Sequence, residues 1–318
     1  MKSFIIKNKH NMCVTISDWG CRIMAIQVPD KTGKLIDTVL SYSTMDDYKV
    51  DKQYLGCTIG RYANRIRDGK FKLGQTQIQL TQNENSCQNH LHGGVHGFDK
   101  RYWTLTSLDE SALEMTITSP DGEEGYPGTL TVYTRYEVCE DNTLNIEYRA
   151  KTDKTTIVNI TNHSYFNLSN NQLSIDQHQI KVDAHFYTPL DTRNIPVPPF
   201  KKKVENTIFD LRAFRPVSQV KNICNINYDT GVQSPKRVKT VATIREKNTG
   251  RQLVISSDYP GLQVYFGNYL SGEFMPFHGL CCEPHYAPDS PNIEEFPSVI
   301  VEPDKEYHHT IRYRFEDF

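Results

Sequence analysis

Alternation of apolar and polar residues with a period of two recurs along this chain, and such segments can bury a continuous face only as β-strands. Leu113, Met115 and Ile117 alternate with Glu114, Thr116 and Thr118, and Leu144, Ile146 and Tyr148 alternate with Asn145, Glu147 and Arg149. The last segment repeats the pattern, with Tyr307, His309, Ile311, Tyr313 and Phe315 on one face and His308, Thr310, Arg312 and Arg314 on the other. It is therefore expected to close a sheet. A hairpin is expected over residues 71–80, where Gly74-Gln75 separates two alternating runs, and Gly33 and Gly128 mark further turns. Long helical periodicity is absent; short helices over 43–48 and 217–221 serve as connectors. Many short strands, punctuated by 18 glycines and 16 prolines, predict an all-β fold, a large antiparallel β-sandwich whose sheets bury one face each. The 318 residues fit one such domain, spanning 1–318. The stretch 189–239, rich in proline, lysine and asparagine, is expected to wrap the rim of the sandwich.

The charges nearly cancel at a net −2, so no global field favours nucleic acid or an anionic membrane, and a small neutral partner is expected. The basic clusters Lys201-Lys202-Lys203 and Lys236-Arg237 with Lys239 are short and lack interleaved aromatics on which bases would stack. Residues 1–10 lack the apolar run of a secretory signal, and no stretch approaches the roughly 20 apolar residues of a membrane span. A cytoplasmic protein, monomer or homodimer, is expected. Eight cysteines without a Cys-x-x-Cys pair indicate neither a disulfide framework nor a zinc site. The Asn-x-Ser/Thr triplets at Asn159, Asn162 and Asn167 are coincidental on this reading.

Several segments gather polar side chains at strand ends. Residues 60–66 offer Arg61, Asn64 and Arg65; taken alone, the two arginines read as surface ion pairs. Residues 90–103 carry His90, His92 and His96 among glycines. His90 and His92, two apart on a strand, face one side, and with Glu283 or His285 they make a minor case for a metal site. His163 follows a β-branched strand and taken alone reads as a core histidine satisfied by Asn162 or Ser164. Glu283 lies in an apolar strand, where a carboxylate is costly unless it meets a cation, hydrogen-bond donors or a substrate hydroxyl. A structural ion pair with Arg61 or Arg65 is the competing explanation.

Taken together, these segments resemble the aldose 1-epimerases, the galactose mutarotase family. The resemblance rests on residues 60–66, Leu91-His92-Gly93-Gly94, Gly97-Phe98-Asp99-Lys100-Arg101, the run from Asp121 to Gly128, the run from Asn162 to Leu168, Gly261-Leu262-Gln263 and Glu283-Pro284, in family order. Weaker likenesses at Trp19-Gly20, Ile195-Pro196, Asp210-Leu211-Arg212 and residues 288–292 extend it over almost the whole chain. It implies a large β-sandwich with a sugar-binding cleft, interconverting the α and β anomers of free aldohexoses without cofactor or metal. By position Glu283 matches the general base, His163 the general acid and His92 an assisting group. Arg65, Asp229 and Gln263 match sugar-holding positions, with Asn64 an additional candidate. The chain departs from the family where Thr230-Gly231-Val232 follows Asp229 in place of His-Asn-Phe, and where His285 replaces a frequent glutamine.

Those roles suit the chemistry. Mutarotation removes the proton of the anomeric hydroxyl and delivers one to the ring oxygen; the aldehyde so formed rotates about C1–C2 and recloses with the transfers reversed. Reference pKa values of about 4.3 for Glu and about 6.5 for His place an ionised base and a charged acid in a mildly acidic to neutral window. The alternatives are a hexose-phosphate mutarotase using Arg61, Arg65 and Arg67, and a non-catalytic sugar-binding protein on the same fold.

Overall fold

The computed structural model describes residues 1–84, 86–170, 174–232 and 237–318, and Lys236 lies outside them. Its largest element is a nine-stranded antiparallel sheet running Thr104–Leu108, Ala112–Ser119, Leu130–Val138, Thr143–Thr152, Tyr307–Asp317, Arg251–Ser257, Lys239–Glu246, His178–Val182, Arg215–Pro216. The C-terminal strand lies inside this sheet, between 143–152 and 251–257. Tyr307, His309, Ile311, Tyr313 and Phe315 are buried, whereas His308, Arg312 and Arg314 are exposed. Thr310, on the outward-facing register, is also buried, and its main-chain N–H donates to Asp258 Oδ1 at 2.9 Å.

A six-stranded sheet lies against this one, ordered Tyr165–Phe166, Leu280–His285, Gly261–Tyr265, Asn225–Asp229, Phe186–Thr188, Lys202–Lys203. Alternation divides its faces. Leu262, Val264, Ile226, Tyr228 and Cys282 join the hydrophobic core that includes Ile311 and Tyr313 of the larger sheet, and the rings of Phe166 and Tyr313 meet edge to face at 5.0 Å. The odd-numbered residues of the same strands, Asn225, Gln263 and Glu283 among them, point the other way. A four-stranded sheet of Ser3–Lys7, Cys13–Ser17, Arg22–Pro29 and Leu35–Asp37 completes the framework, and the expected hairpin is present as Lys70–Leu73 paired with Thr76–Gln79.

Among the described residues helix is confined to short turns. The connectors expected at 43–48 and 217–221 are a 3-10 turn at Asp47–Lys49 and an α-helical turn at Val217–Val220. No helix among the described residues is long and apolar enough to cross a membrane. All eight cysteines are unbridged, and Asn159, Asn162 and Asn167 are buried. The stretch 189–239 does more than wrap the rim. It contributes edge strands to both sheets and, through Asn225–Asp229, an interior strand of the six-stranded one. Asn-Ile-Asn-Tyr-Asp has low intrinsic strand propensity, but its polar face is held by side chains of the neighbouring strand and its apolar face enters the core.

Candidate active site

The polar face of the six-stranded sheet floors a cleft of about 260 Å³, lined by residues that include Tyr54, Arg65, His92, His163, Gln263 and Glu283. This is the small end of ligand-site volumes. A larger concavity of about 940 Å³ lies on the outer face of the nine-stranded sheet, where Glu137, Glu147, Arg312 and Arg314 form an open charged surface without a buried reactive group. The smaller cleft carries the chemistry.

Glu283 sits mid-strand, directly opposite Gln263. It is 2% exposed, and its Oε2 has no hydrogen-bond partner among the described residues. A structural ion pair does not explain it. Arg61 is spent on Ser119 Oγ at 2.7 Å and on the carbonyls of Ser119, Pro120 and Pro127, so the 119–127 segment anchors Arg61 away from Glu283. Arg65 grips Glu84 through Nε and Nη2 at 2.7–3.1 Å, close enough to Glu283 to oppose the effect of its burial but not bonded to it.

His163 follows the strand Thr161–Asn162, and its backbone is locked from both sides. Its N–H donates to Cys57 O at 3.0 Å, and its carbonyl accepts from Gly56 N at 3.0 Å. Asn162 and Ser164 bond to each other, Oδ1 accepting from Ser164 N and Oγ; they fix the loop rather than satisfy the imidazole. The ring presents Nε2 to Glu283 Oε2 at 3.7 Å and Nδ1 to Cys281 Sγ at 3.6 Å.

His92 joins them from the opposite wall, its ring 5.4 Å from that of His163 and 4.7 Å from that of Tyr54. Its Nδ1 accepts the main-chain N–H of Asn64 at 3.2 Å, and its own N–H donates to Asn64 O at 3.0 Å. The two wall loops meet because residue 93 is glycine: at φ +88° a Cβ there would lie 1.8 Å from Gly60 O. Asn64 Nδ2 then donates to Gln263 Oε1 at 3.1 Å, and Gln263 Nε2 donates to Asn225 Oδ1. A chain of amides thus runs along the floor from the His92 wall.

Asp229 is not brought to this cleft. It pairs with Lys201 at 2.5 Å, accepts Gly231 N at 2.7 Å, and lines a separate cavity of about 180 Å³ with Phe200 and Phe296. Asn225, four residues earlier on the same face, occupies the cleft. Asn64, Arg65, His92, His163, Gln263 and Glu283 do converge. Sequence reasoning missed Tyr54, Cys281 and Asn225; for Asn225 the signal was the Asn-x-Asn alternation. Among the aromatics, Tyr126 and Phe166 belong to the core and Phe277 packs against it, whereas Tyr165 reaches the cleft with Tyr54, Tyr265 and Tyr269.

The metal site built on His90 does not form. Its Nδ1–H donates to Thr81 O and its Nε2 accepts Tyr126 O–H, each at 2.6 Å. His163, Cys281 and Glu283 do bring one donor atom each within 4.8 Å of one another, all three residues buried.

Burial dominates the electrostatics. It pushes the Glu283 carboxyl up to about 8, with Arg65 pulling it down, and the His163 imidazole down to about 4. His92 is held well below the usual range by burial and then by His163. The unperturbed values expected from sequence are therefore displaced in opposite directions. Between the two limits the Glu283–His163 pair holds one proton, which burial keeps on the carboxyl.

Comparison with known proteins agrees with this geometry. The family model described as aldose 1-epimerase matches residues 2–314. The mouse galactose mutarotase is 39% identical over 96% of this chain and 91% of its own length. The aldose 1-epimerase of Escherichia coli is 31% identical over 98% and 94%. The crystal structure of an aldose epimerase homologue from C. elegans superposes with a TM-score of 0.92 at 25% identity, covering 99% of each chain.

Proposed function

The chain belongs to the aldose 1-epimerase family, and from that premise we propose that its cleft interconverts the α and β anomers of a free aldohexose, galactose or glucose, with Glu283 as base and His163 as acid. The protein is an enzyme, an isomerase acting on aldose anomers. The observation that carries the residue assignment is the unpartnered Oε2 of Glu283 standing 3.7 Å from Nε2 of His163 in the cleft floor.

In the pair's active arrangement the carboxylate accepts the proton of the anomeric hydroxyl while the imidazolium Nε2–H gives its proton to the ring oxygen. The C1–O5 bond breaks as the carbonyl forms, and rotation about C1–C2 exposes the other face. On closure His163 takes the proton of the attacking O5 hydroxyl and Glu283 returns a proton to the carbonyl oxygen. Burying both charges is unfavourable in the empty cleft, and the sugar's two oxygens supply the hydrogen bonds that favour the charged arrangement. His92 donates from Nε2, since its Nδ1 is occupied as an acceptor. Asn64, Gln263 and Asn225 hold ring hydroxyls through the amide chain, and Tyr54 and Tyr265 offer faces to the pyranose.

Recognition of a sugar phosphate loses support because its arginines are engaged: Arg61 with carbonyls, Arg65 with Glu84, and Arg67 beside Asp191 and Asp289 at 3.8 Å each. A purely sugar-binding role leaves the unpartnered carboxylate unexplained. Residence in the cytoplasm, as monomer or homodimer and without nucleic-acid or membrane partners, belongs to the same proposal and is consistent with eight unbridged thiols. Proton NMR of α-galactose, α-glucose and galactose 6-phosphate, each relaxing with and without enzyme, tests the reading. Acceleration of a free hexose is expected, and acceleration of the phosphate alone would overturn it.

A further inference from the structure

Glu283 has a neighbour on its own strand that the mechanism above does not use. Cys281 lies two residues earlier, hence on the same face, and is fully buried. One donor atom each from Cys281, His163 and Glu283 lies within 4.8 Å of the other two. The Cys281 sulfur stands 3.6 Å from the His163 ring at Nδ1, and the same ring stands 3.7 Å from Glu283 Oε2 at Nε2. Sulfur, imidazole nitrogen and carboxylate oxygen are the donors that zinc takes, and bonds of about 2.0–2.3 Å hold such atoms roughly 3.3–3.7 Å apart around a tetrahedral ion. A contraction of roughly 1 Å at most therefore brings the three to coordination distance. His163 and Glu283 line the cleft, so the fourth position opens toward it.

We propose that Cys281, His163 and Glu283 form a binding site for a thiophilic divalent cation, Zn²⁺ foremost, whose occupancy shuts the sugar out of the cleft. Three observations support it. Oε2 of Glu283 is a buried oxygen with no hydrogen-bond partner among the described residues, and it faces the cluster. The charges balance: a divalent ion with one thiolate, one carboxylate and one neutral imidazole sums to zero, which a site that resists separate charges can hold. The supporting contacts are those of a ligating set. The His163 ring bonds its own main-chain carbonyl, which leaves its other nitrogen for the ion, and the Tyr165 hydroxyl stands against the Cys281 sulfur. Coordination displaces the thiol proton and the carboxyl proton, both to solvent. Mg²⁺ and Ca²⁺, which take oxygen donors in sets of six or more, find too few here. Because the ion takes both the base and the acid, its occupancy and that of the sugar exclude each other.

The inhibitory consequence rests on the proposed mutarotation, whereas binding of the ion does not, so the two are measured separately. Binding is read with Co²⁺ on the full chain, stripped beforehand with a chelator. A near-ultraviolet thiolate-to-cobalt band saturating at one equivalent is expected, lost in Cys281→Ala and retained in Cys224→Ala, which removes the thiol that lines the cleft wall. No band, or a band that survives Cys281→Ala, would overturn the site. Should Cys281→Ala not fold, Glu283→Gln decides: calorimetric affinity for Zn²⁺ is expected to fall by about tenfold or more, and unchanged affinity would overturn it. Inhibition is read with Zn²⁺ against the relaxation of a free hexose. A raised apparent KM with kcat unchanged is expected, reversed by chelator and not produced by Mg²⁺. Turnover of hexose that Zn²⁺ leaves untouched would overturn the inference and leave the mutarotase reading standing; a cobalt band in a protein that turns over no sugar would do the opposite.

Discussion

Nε2 of His163 stands 3.7 Å from Oε2 of Glu283, an oxygen with no hydrogen-bond partner among the described residues. At that separation the two groups share neither a strong hydrogen bond nor a tight ion pair. On the proposed mechanism the sugar's two reacting oxygens are what they meet.

Replacing His163 by Asn removes the proton donor and keeps a side chain of similar polarity. A fall in kcat of roughly 10²-fold or more is expected, with the circular dichroism spectrum and thermal midpoint near those of the wild type. His92→Gln, which keeps an amide donor but not the imidazole, is expected to cost less than His163→Asn. Steady-state kinetics of both variants check the ranking.

The pH dependence follows from the two opposed shifts. Above about 8 the pair loses its last proton and with it the acid; below about 4 it takes a second proton and loses the base. The profile of kcat/KM for the free enzyme should be a broad bell with limbs near those values, wider than the 4.3-to-6.5 window of unperturbed groups. An alkaline limb near 6.5 would indicate a solvated His163 and contradict the burial argument.

Stability should reveal the cost of Glu283. Its carboxyl is raised in the folded state, so the unfolded chain releases that proton first, and the stability held below about 4.5 is progressively lost as pH rises to about 8. Glu283→Gln removes the titration. The thermal midpoint of the variant relative to wild type should therefore climb between pH 4.5 and 8, by roughly 2–4 °C for each 1 kcal/mol relieved. Calorimetry at the two pH values measures it, and an equal difference at both would contradict the shift.

Asn225 and Asp229 make a contrasting pair. Asn225 Oδ1 holds Gln263 in the cleft floor, whereas Asp229 faces Lys201 in another cavity. Asn225→Ala should raise KM for the hexose by about tenfold, the loss of one to two hydrogen bonds, and Asp229→Ala should leave KM within about twofold. The reverse pattern would restore Asp229 to the sugar.

The position of Asp229 also shows where sequence reasoning stops. Period-two alternation correctly placed the strands around Leu113, Leu144 and Tyr307, because each buries one face against a continuous core. Glu283 was legible as a carboxylate that an apolar strand would not otherwise keep, whereas His163 taken alone read as a core histidine and drew its role from the resemblance of the assembled segments. Alternation cannot say which of residues 225, 227 and 229 on one face stands over the cleft; four residues of strand cover about 13 Å, and the aspartate falls in the next cavity. Tyr54, at φ +56° in a loop, carries no periodic signal at all. The two pKa shifts were hidden for the same reason: burial is a property of the assembled walls rather than of the residues that titrate.

The most direct test of the central claim is polarimetry of freshly dissolved α-galactose and α-glucose relaxing to equilibrium with wild-type enzyme, with Glu283→Gln and without protein. The wild type should accelerate relaxation of one or both sugars, and the variant should retain about 1% of that catalytic rate or less. A folded Glu283→Gln protein that matches the wild type, or a wild type that accelerates neither sugar, would contradict it.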